Sequence, residues 1–142
     1  MAIVASKLFM IDPDRDRQSP FMIFEGQKDH GDERVRQAQQ LIEENYAEKL
    51  TVESLASELA LSRRSLERRF KKATANTVVE YIQRVKVEAA KSQLETTPKN
   101  INEVMYEVGY LDSKSFRTIF KKVTGLSPVD YRRKYSRTLV MA

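Results

Sequence analysis

A chain of 142 residues, 41% of them hydrophobic, can build one ordinary domain or two small units on a shared linker. Cysteine is absent, which removes disulfides, thiolate metal ligands and cysteine nucleophiles, and four glycines with four prolines favour long helices over many turns. The net charge is a modest +5; no stretch approaches the roughly 18 apolar residues of a membrane span, and no secretory pattern opens the sequence, so the expected location is the cytoplasm, away from membranes.

Residues 1–32 carry Pro13, Pro20, Gly26 and short apolar clusters such as Phe21-Met22-Ile23-Phe24, and they read as an extended arm or the tail of something larger. Residues 33–46 place Val35, Ala38, Leu41, Ile42 and Tyr46 on one stripe, the mark of an amphipathic helix. Leu55 and Leu59, four apart, begin a first helix-turn-helix unit over about 51–74. Its turn runs through Ala60-Leu61-Ser62, with Ser62 as N-cap, and its second helix buries Leu66 and Phe70. A long linker helix spans about 77–96, opened by a Thr77-x-x-Glu80 capping box and ended by Thr97-Pro98. Asn100-x-x-Glu103 opens a second unit over about 100–124, with Val104 and Val108 before a turn at Gly109 and Phe116 and Phe120 buried after it. A last helix begins at Ser127-Pro128 and runs to about Tyr135, the domain closes near 137, and 138–142 form a tail.

The two units are copies of one another. At an offset of 49, Leu55 matches Val104, Glu58 matches Glu107, Leu59 matches Val108 and Ala60 matches Gly109. One inserted residue, placed at Asp112, moves the offset to 50; Leu66 then matches Phe116, Phe70 matches Phe120, Lys71-Lys72 matches Lys121-Lys122 and Tyr81 matches Tyr131. Charge follows the repeat. Residues 62–91 hold nine Lys/Arg against three Asp/Glu (+6) and residues 113–137 eight against one (+7), whereas 25–58 hold four against nine (−5) and 92–112 one against four (−3). Two basic blocks divided by an acidic spacer suggest two contacts with a polyanion, and two solvated helix faces are the plain alternative.

The run Phe116-Arg117-Thr118-Ile119-Phe120-Lys121-Lys122-Val123-Thr124-Gly125-Leu126-Ser127-Pro128-Val129-Asp130-Tyr131-Arg132 resembles the C-terminal signature of the AraC/XylS family of bacterial transcription regulators. The resemblance extends over about 34–136. It implies an all-α domain of seven helices with two helix-turn-helix units on a long linker helix, covering 33–137, that binds double-stranded DNA and, if it activates, RNA polymerase. A second resemblance lies in Gln18-Ser19-Pro20-Phe21, His30-Gly31-Asp32, Gln39 and Ile42-Glu43-Glu44, similar to the junction of a subgroup with a glutamine-amidotransferase-like (PfpI-type) domain upstream. On that resemblance residues 1–30 are the tail of such a domain. The chain departs from the family at Ala60, where glycine is usual, and at Ala75-Asn76-Thr77-Val78, where glycine and then Ser-Pro are usual.

With Leu66 and Phe70 inward, the second helix of the first unit turns Arg63, Arg64, Glu67, Arg68 and Lys71 outward. The resemblance implies base contacts for Arg64, Glu67 and Arg68: arginine can hold guanine O6 and N7, and glutamate can accept from cytosine N4. A phosphate contact is the rival for the two arginines, and an intrahelical pair with Lys71 is the rival for Glu67. In the second unit Ser113, Lys114, Arg117 and Thr118 face outward, with capping as the rival for Ser113. Arg63, Lys71, Lys72, Lys121 and Lys122 suit phosphates, which fix register without reading sequence. Enzyme chemistry finds little purchase: His30 is the only histidine, so no His-based zinc cluster is possible, and there is no G-x-S-x-G elbow or phosphate-cradling glycine loop. No catalytic residue, metal or cofactor is expected. The competing function is a helical interaction module whose basic helices meet an acidic protein.

Overall fold

The computed structural model describes residues 21–136, and all regular structure among them is helical. After a 3-10 helix at Met22–Lys28 come seven α-helices: α1 (Glu33–Asn45), α2 (Val52–Glu58), α3 (Arg63–Thr74), α4 (Val78–Thr96), α5 (Ile101–Glu107), α6 (Ser113–Thr124) and α7 (Pro128–Tyr135). Each α-helix starts at a side chain that accepts a backbone N–H of its own first turn: Asp32, Thr51, Ser62, Thr77, Asn100, Asp112 and Ser127. Such caps satisfy donors that a short helix would otherwise leave bare, a contribution of about 1 kcal/mol each. The expected capping boxes form at Thr77–Glu80 and Asn100–Glu103, and a third, at Thr51–Ser54, was not expected.

The repeat in sequence is a repeat in packing. Phe70 stands edge-on to Tyr81 at 5.4 Å, and Phe120 stands edge-on to Tyr131 at 5.5 Å. Thr74 Oγ1 donates to Phe70 O at 2.9 Å, as Thr124 Oγ1 does to Phe120 O. The Tyr81 hydroxyl donates to Glu43 on α1, while that of Tyr131 donates to Glu95 on α4. The linker helix therefore plays two parts. Its start closes the first unit as α7 closes the second, and its end lies beneath the second unit as α1 lies beneath the first. Arg132 ties α7 to that end by donating to Leu94 O and Thr97 O.

Between these halves, Lys86 is buried with no carboxylate partner among the described residues. Its Nζ donates to Tyr46 O at 2.5 Å, just past α1, and to Val108 O at 3.3 Å, at the end of α5, and lies 5.6 Å from the Tyr110 ring centroid. Burial lowers its pKa from the ordinary 10.5. Gly109 makes room for this contact. A Cβ there would lie 2.5 Å from Lys86 Nζ and 3.0 Å from Ala47 O.

Two expectations are corrected. Asp112 is not the inserted residue: it caps α6 as Ser62 caps α3, so the extra residue is Leu111, which stands 84% exposed in the turn. The described part of the N-terminal arm is packed rather than extended, because Phe21 and Phe24 bury their rings against Tyr46 and Tyr81, at centroid distances of 5.3 and 5.2 Å. The expectations for 1–20 and 138–142 lie outside the described residues.

The alanines that stand where the resembled family has glycine keep glycine-like backbone: Ala60 has φ 57° and Ala75 φ 65°, beside 97° and 84° at Gly109 and Gly125. A side chain in this left-handed region costs about 1–2 kcal/mol, partly offset by the looser unfolded chain that glycine brings. Ala75→Gly is therefore expected to stabilise the fold by about 0.5–1 kcal/mol. Gly109→Ala should destabilise it by more than that, since the new methyl group collides with Lys86 and the Ala47 carbonyl. Urea midpoints of the two variants check both, and a lower midpoint for Ala75→Gly would contradict the strain argument.

Candidate nucleic-acid interface

Short first helices and left-handed turns hold α3 and α6 so that one face of each is buried and the other is bare. On α3, Leu66 and Phe70 lie in the core while Arg63, Arg64, Glu67, Arg68, Lys71 and Lys72 are exposed. On α6, Phe116 and Phe120 are buried, Lys114, Arg117, Thr118, Lys121 and Lys122 are exposed, and Ser113 is half-buried. The expected contact residues other than Ser113 thus lie exposed on two outward helix faces. Arg64 and Arg68 enter none of the ion pairs among the described residues, which leaves both guanidinium forks available.

Neighbours sort the remaining residues. Arg63 is held by Glu53 of α2 and lies 3.5 Å from Glu67, so it must exchange these carboxylates for any phosphate. Glu67 pairs with Arg63 and not with Lys71, whose Nζ instead donates to Ala75 O at 3.1 Å and closes the end of α3. Ser113 is not the cap of α6, because the Asp112 carboxylate accepts the Ser115 N–H at 2.9 Å. Its hydroxyl is thereby released from the capping role. The Glu80 carboxyl is lowered from its ordinary value, first by the Thr77 N–H it accepts and then, past an opposing desolvation, by the charges of Lys71 and Lys122.

The seating of α3 involves a pair that periodicity does not reveal. Arg69 points away from the exposed face and grips Asp32 with both arms of its fork, Nε to Oδ2 at 2.9 Å and Nη2 to Oδ1 at 2.8 Å. Asp32 also caps α1. A signal existed in the repeat: Arg69 matches Ile119, and a charge where the other copy is apolar calls for a partner.

A family model described as a helix-turn-helix domain matches residues 55–134. The bifunctional transcriptional activator/DNA repair enzyme AdaA of Bacillus subtilis (strain 168) is 45% identical over 92 residues, which is 65% of this chain and 44% of that protein. The transcriptional activator RhaS of Citrobacter koseri is 31% identical over 104 residues, 73% of this chain and 37% of that protein. This chain spans about half or less of both. Among solved structures, the C-terminal domain of AraT, a response regulator from Geobacillus stearothermophilus, superposes with a TM-score of 0.72 at 33% identity, covering 74% of this chain and 88% of that one. The DNA-binding domain of AdpA, in complex with a target DNA, gives 0.69 at 28% identity, covering 73% and 94%.

Two helix-capping carboxylates also predict a pH response. The Asp32 carboxyl lies below its ordinary 3.8, chiefly through the Arg69 guanidinium, and the Asp112 carboxyl lies below it through the Ser115 N–H. A carboxylate whose folded pKa is depressed stabilises the fold above its unfolded pKa and loses that contribution as pH falls through the folded value. Urea midpoints should therefore hold above the ordinary 3.8 and fall below it. Asp32→Asn should flatten that fall, and an unchanged profile would show that the pair with Arg69 carries no linkage.

Proposed function

Because the chain belongs to the helix-turn-helix family of AraC-type DNA-binding domains, we propose that it binds duplex DNA sequence-specifically in the major groove and regulates transcription. The observation that carries this reading is the pair of solvent-facing basic helices, α3 and α6, packed on one linker helix, with Arg64 and Arg68 on the first outside every ion pair among the described residues. Helix faces of this kind enter the major groove, where arginine reads guanine edges and lysines hold phosphates. The base-reading set is Arg64, Glu67 and Arg68 on α3 with Ser113, Lys114, Arg117 and Thr118 on α6. Arg63, Lys71, Lys72, Lys121 and Lys122 hold phosphates. No catalytic role is assigned to the chain.

The stretches Gln18-Ser19-Pro20-Phe21 and His30-Gly31-Asp32 support a glutamine-amidotransferase-like domain before this one. In an activator, RNA polymerase would be the second partner.

The 19 residues of α4 span about 28 Å at roughly 1.5 Å per residue, near the roughly 34 Å between grooves one turn apart. The expected site is two blocks about 10 bp apart on one face of the duplex, with no need of a palindrome. Selection from a random duplex pool followed by footprinting tests this. Protection of a single block, or a strictly palindromic site bound by a dimer, would overturn it.

Arg64→Ala and Lys72→Ala should weaken binding in different ways. Loss of a base-reading arginine costs on the order of 1–3 kcal/mol and relaxes preference at one base pair. Loss of a phosphate lysine weakens all sequences about equally and lowers the salt slope by roughly one. Affinities for the selected site and its single-base variants, at several salt concentrations, check this assignment. It fails if Lys72→Ala reorders the variants and Arg64→Ala does not.

A further inference from the structure

The chain leading into α1 does more than connect. Phe24 is buried against Tyr81, which itself packs on Phe70 of α3. Gln27 Oε1 accepts from Asn76 Nδ2 at 3.1 Å, in the turn between α3 and α4. The Asp32 N–H donates to His30 Nδ1 at 3.2 Å, and its carboxylate takes both arms of Arg69. One short segment thus reaches the core of α3, the turn after it and its half-buried flank. All of these contacts are made by residues 24–32, outside the stretch 55–134 matched by the family model.

The second unit has nothing equivalent among the described residues. At the position of Arg69, α6 carries Ile119, which packs against the core as an apolar side chain. The first outward helix is therefore seated by a polar pair delivered from the incoming chain, and the second by apolar contact within the domain. A bidentate arginine–carboxylate pair is directional as well as strong, so it fixes the rotation of α3 about its own axis. Rotation decides which of Arg64, Glu67 and Arg68 meets the base edges.

We propose that residues 21–32 form a positioning clasp that seats α3 through Asp32 and Arg69, and that the clasp governs reading of the first DNA block alone. Asp32 and Arg69 are positioning residues here, since neither faces the groove. This rests on the DNA-reading role given to α3 above. It also makes the segment the route by which a domain attached upstream would reach the DNA: displacing the clasp loosens one block and leaves the other.

The test uses the full chain. Asp32→Asn keeps a good N-cap for α1, because asparagine caps as well as aspartate, but removes the paired carboxylate. Arg69→Ile copies the second unit. Asp32→Asn should speed amide hydrogen exchange in α3 but not in α6. On a duplex carrying both selected blocks it should lose protection at the first block by at least about fivefold while the second is kept. In the Arg69→Ile background the same change should have no effect on either readout. Three results would overturn the clasp: equal weakening of both blocks, unchanged exchange in α3, or an Asp32→Asn effect that persists undiminished once Arg69→Ile is present. The exchange measurement needs no DNA, so a chain that proves indifferent to sequence would sink the DNA-reading role while still deciding whether the clasp exists.

Discussion

Everything in this domain depends on one helix being used twice. The helices before each turn, α2 and α5, are seven residues long and cannot bury a face by themselves. Each unit needs further helices packed against it, and α4 serves both in succession, closing the first through Tyr81 near its start and lying beneath the second through Leu94 near its end. Lys86 sits where the two uses meet. A buried ammonium without a carboxylate is costly, and it is tolerated here because two carbonyls and an aromatic ring replace its water. Since those carbonyls belong to the chain after α1 and to the end of α5, the same charge that is costly to bury also fixes how the two units sit on α4.

Periodic features were legible in the sequence. Leu55 with Leu59, Leu66 with Phe70 and Phe116 with Phe120 announce buried faces by spacing alone, and Ser62, Thr77, Asn100 and Ser127 announce helix starts by their chemistry. The outward faces follow by subtraction. Polar contacts between residues far apart in sequence were not legible: Arg69 meets Asp32 across 37 residues, and Lys86 meets Tyr46 O across 40. No local pattern encodes such pairs. Phe21 and Phe24 show in the sequence as an apolar cluster but not as core, because a short 3-10 helix and the residue before it have too few turns to display a stripe. Asp112 was misplaced because alignment by identity cannot tell an insertion from its neighbour, whereas the capping hydrogen bond can.

The two units, alike in backbone, differ in how ready their outward faces are. On α6 the lysines and Arg117 have no ion-pair partner among the described residues, so they can meet DNA without first giving anything up. On α3, Arg63 is already engaged with Glu53 and Glu67, and its use on a phosphate means releasing them. Exposed pairs of this kind are weak, so the exchange costs little, but it is salt-sensitive in the opposite sense to phosphate binding.

Sharing α4 also bears on how the domain comes apart. Tandem repeats that touch only through an interface can melt one at a time, each with its own midpoint. Here the helix that would have to fray for either unit to open is also part of the other unit's core, with Tyr81 and Leu94 buried on a single uninterrupted rod. Any opening that frays α4 removes the support of its twin, whereas a looser seat for α3 leaves α4, and with it the second unit, in place. Two copies of a small motif, each too slight to stand alone, are thereby bound into a single cooperative transition.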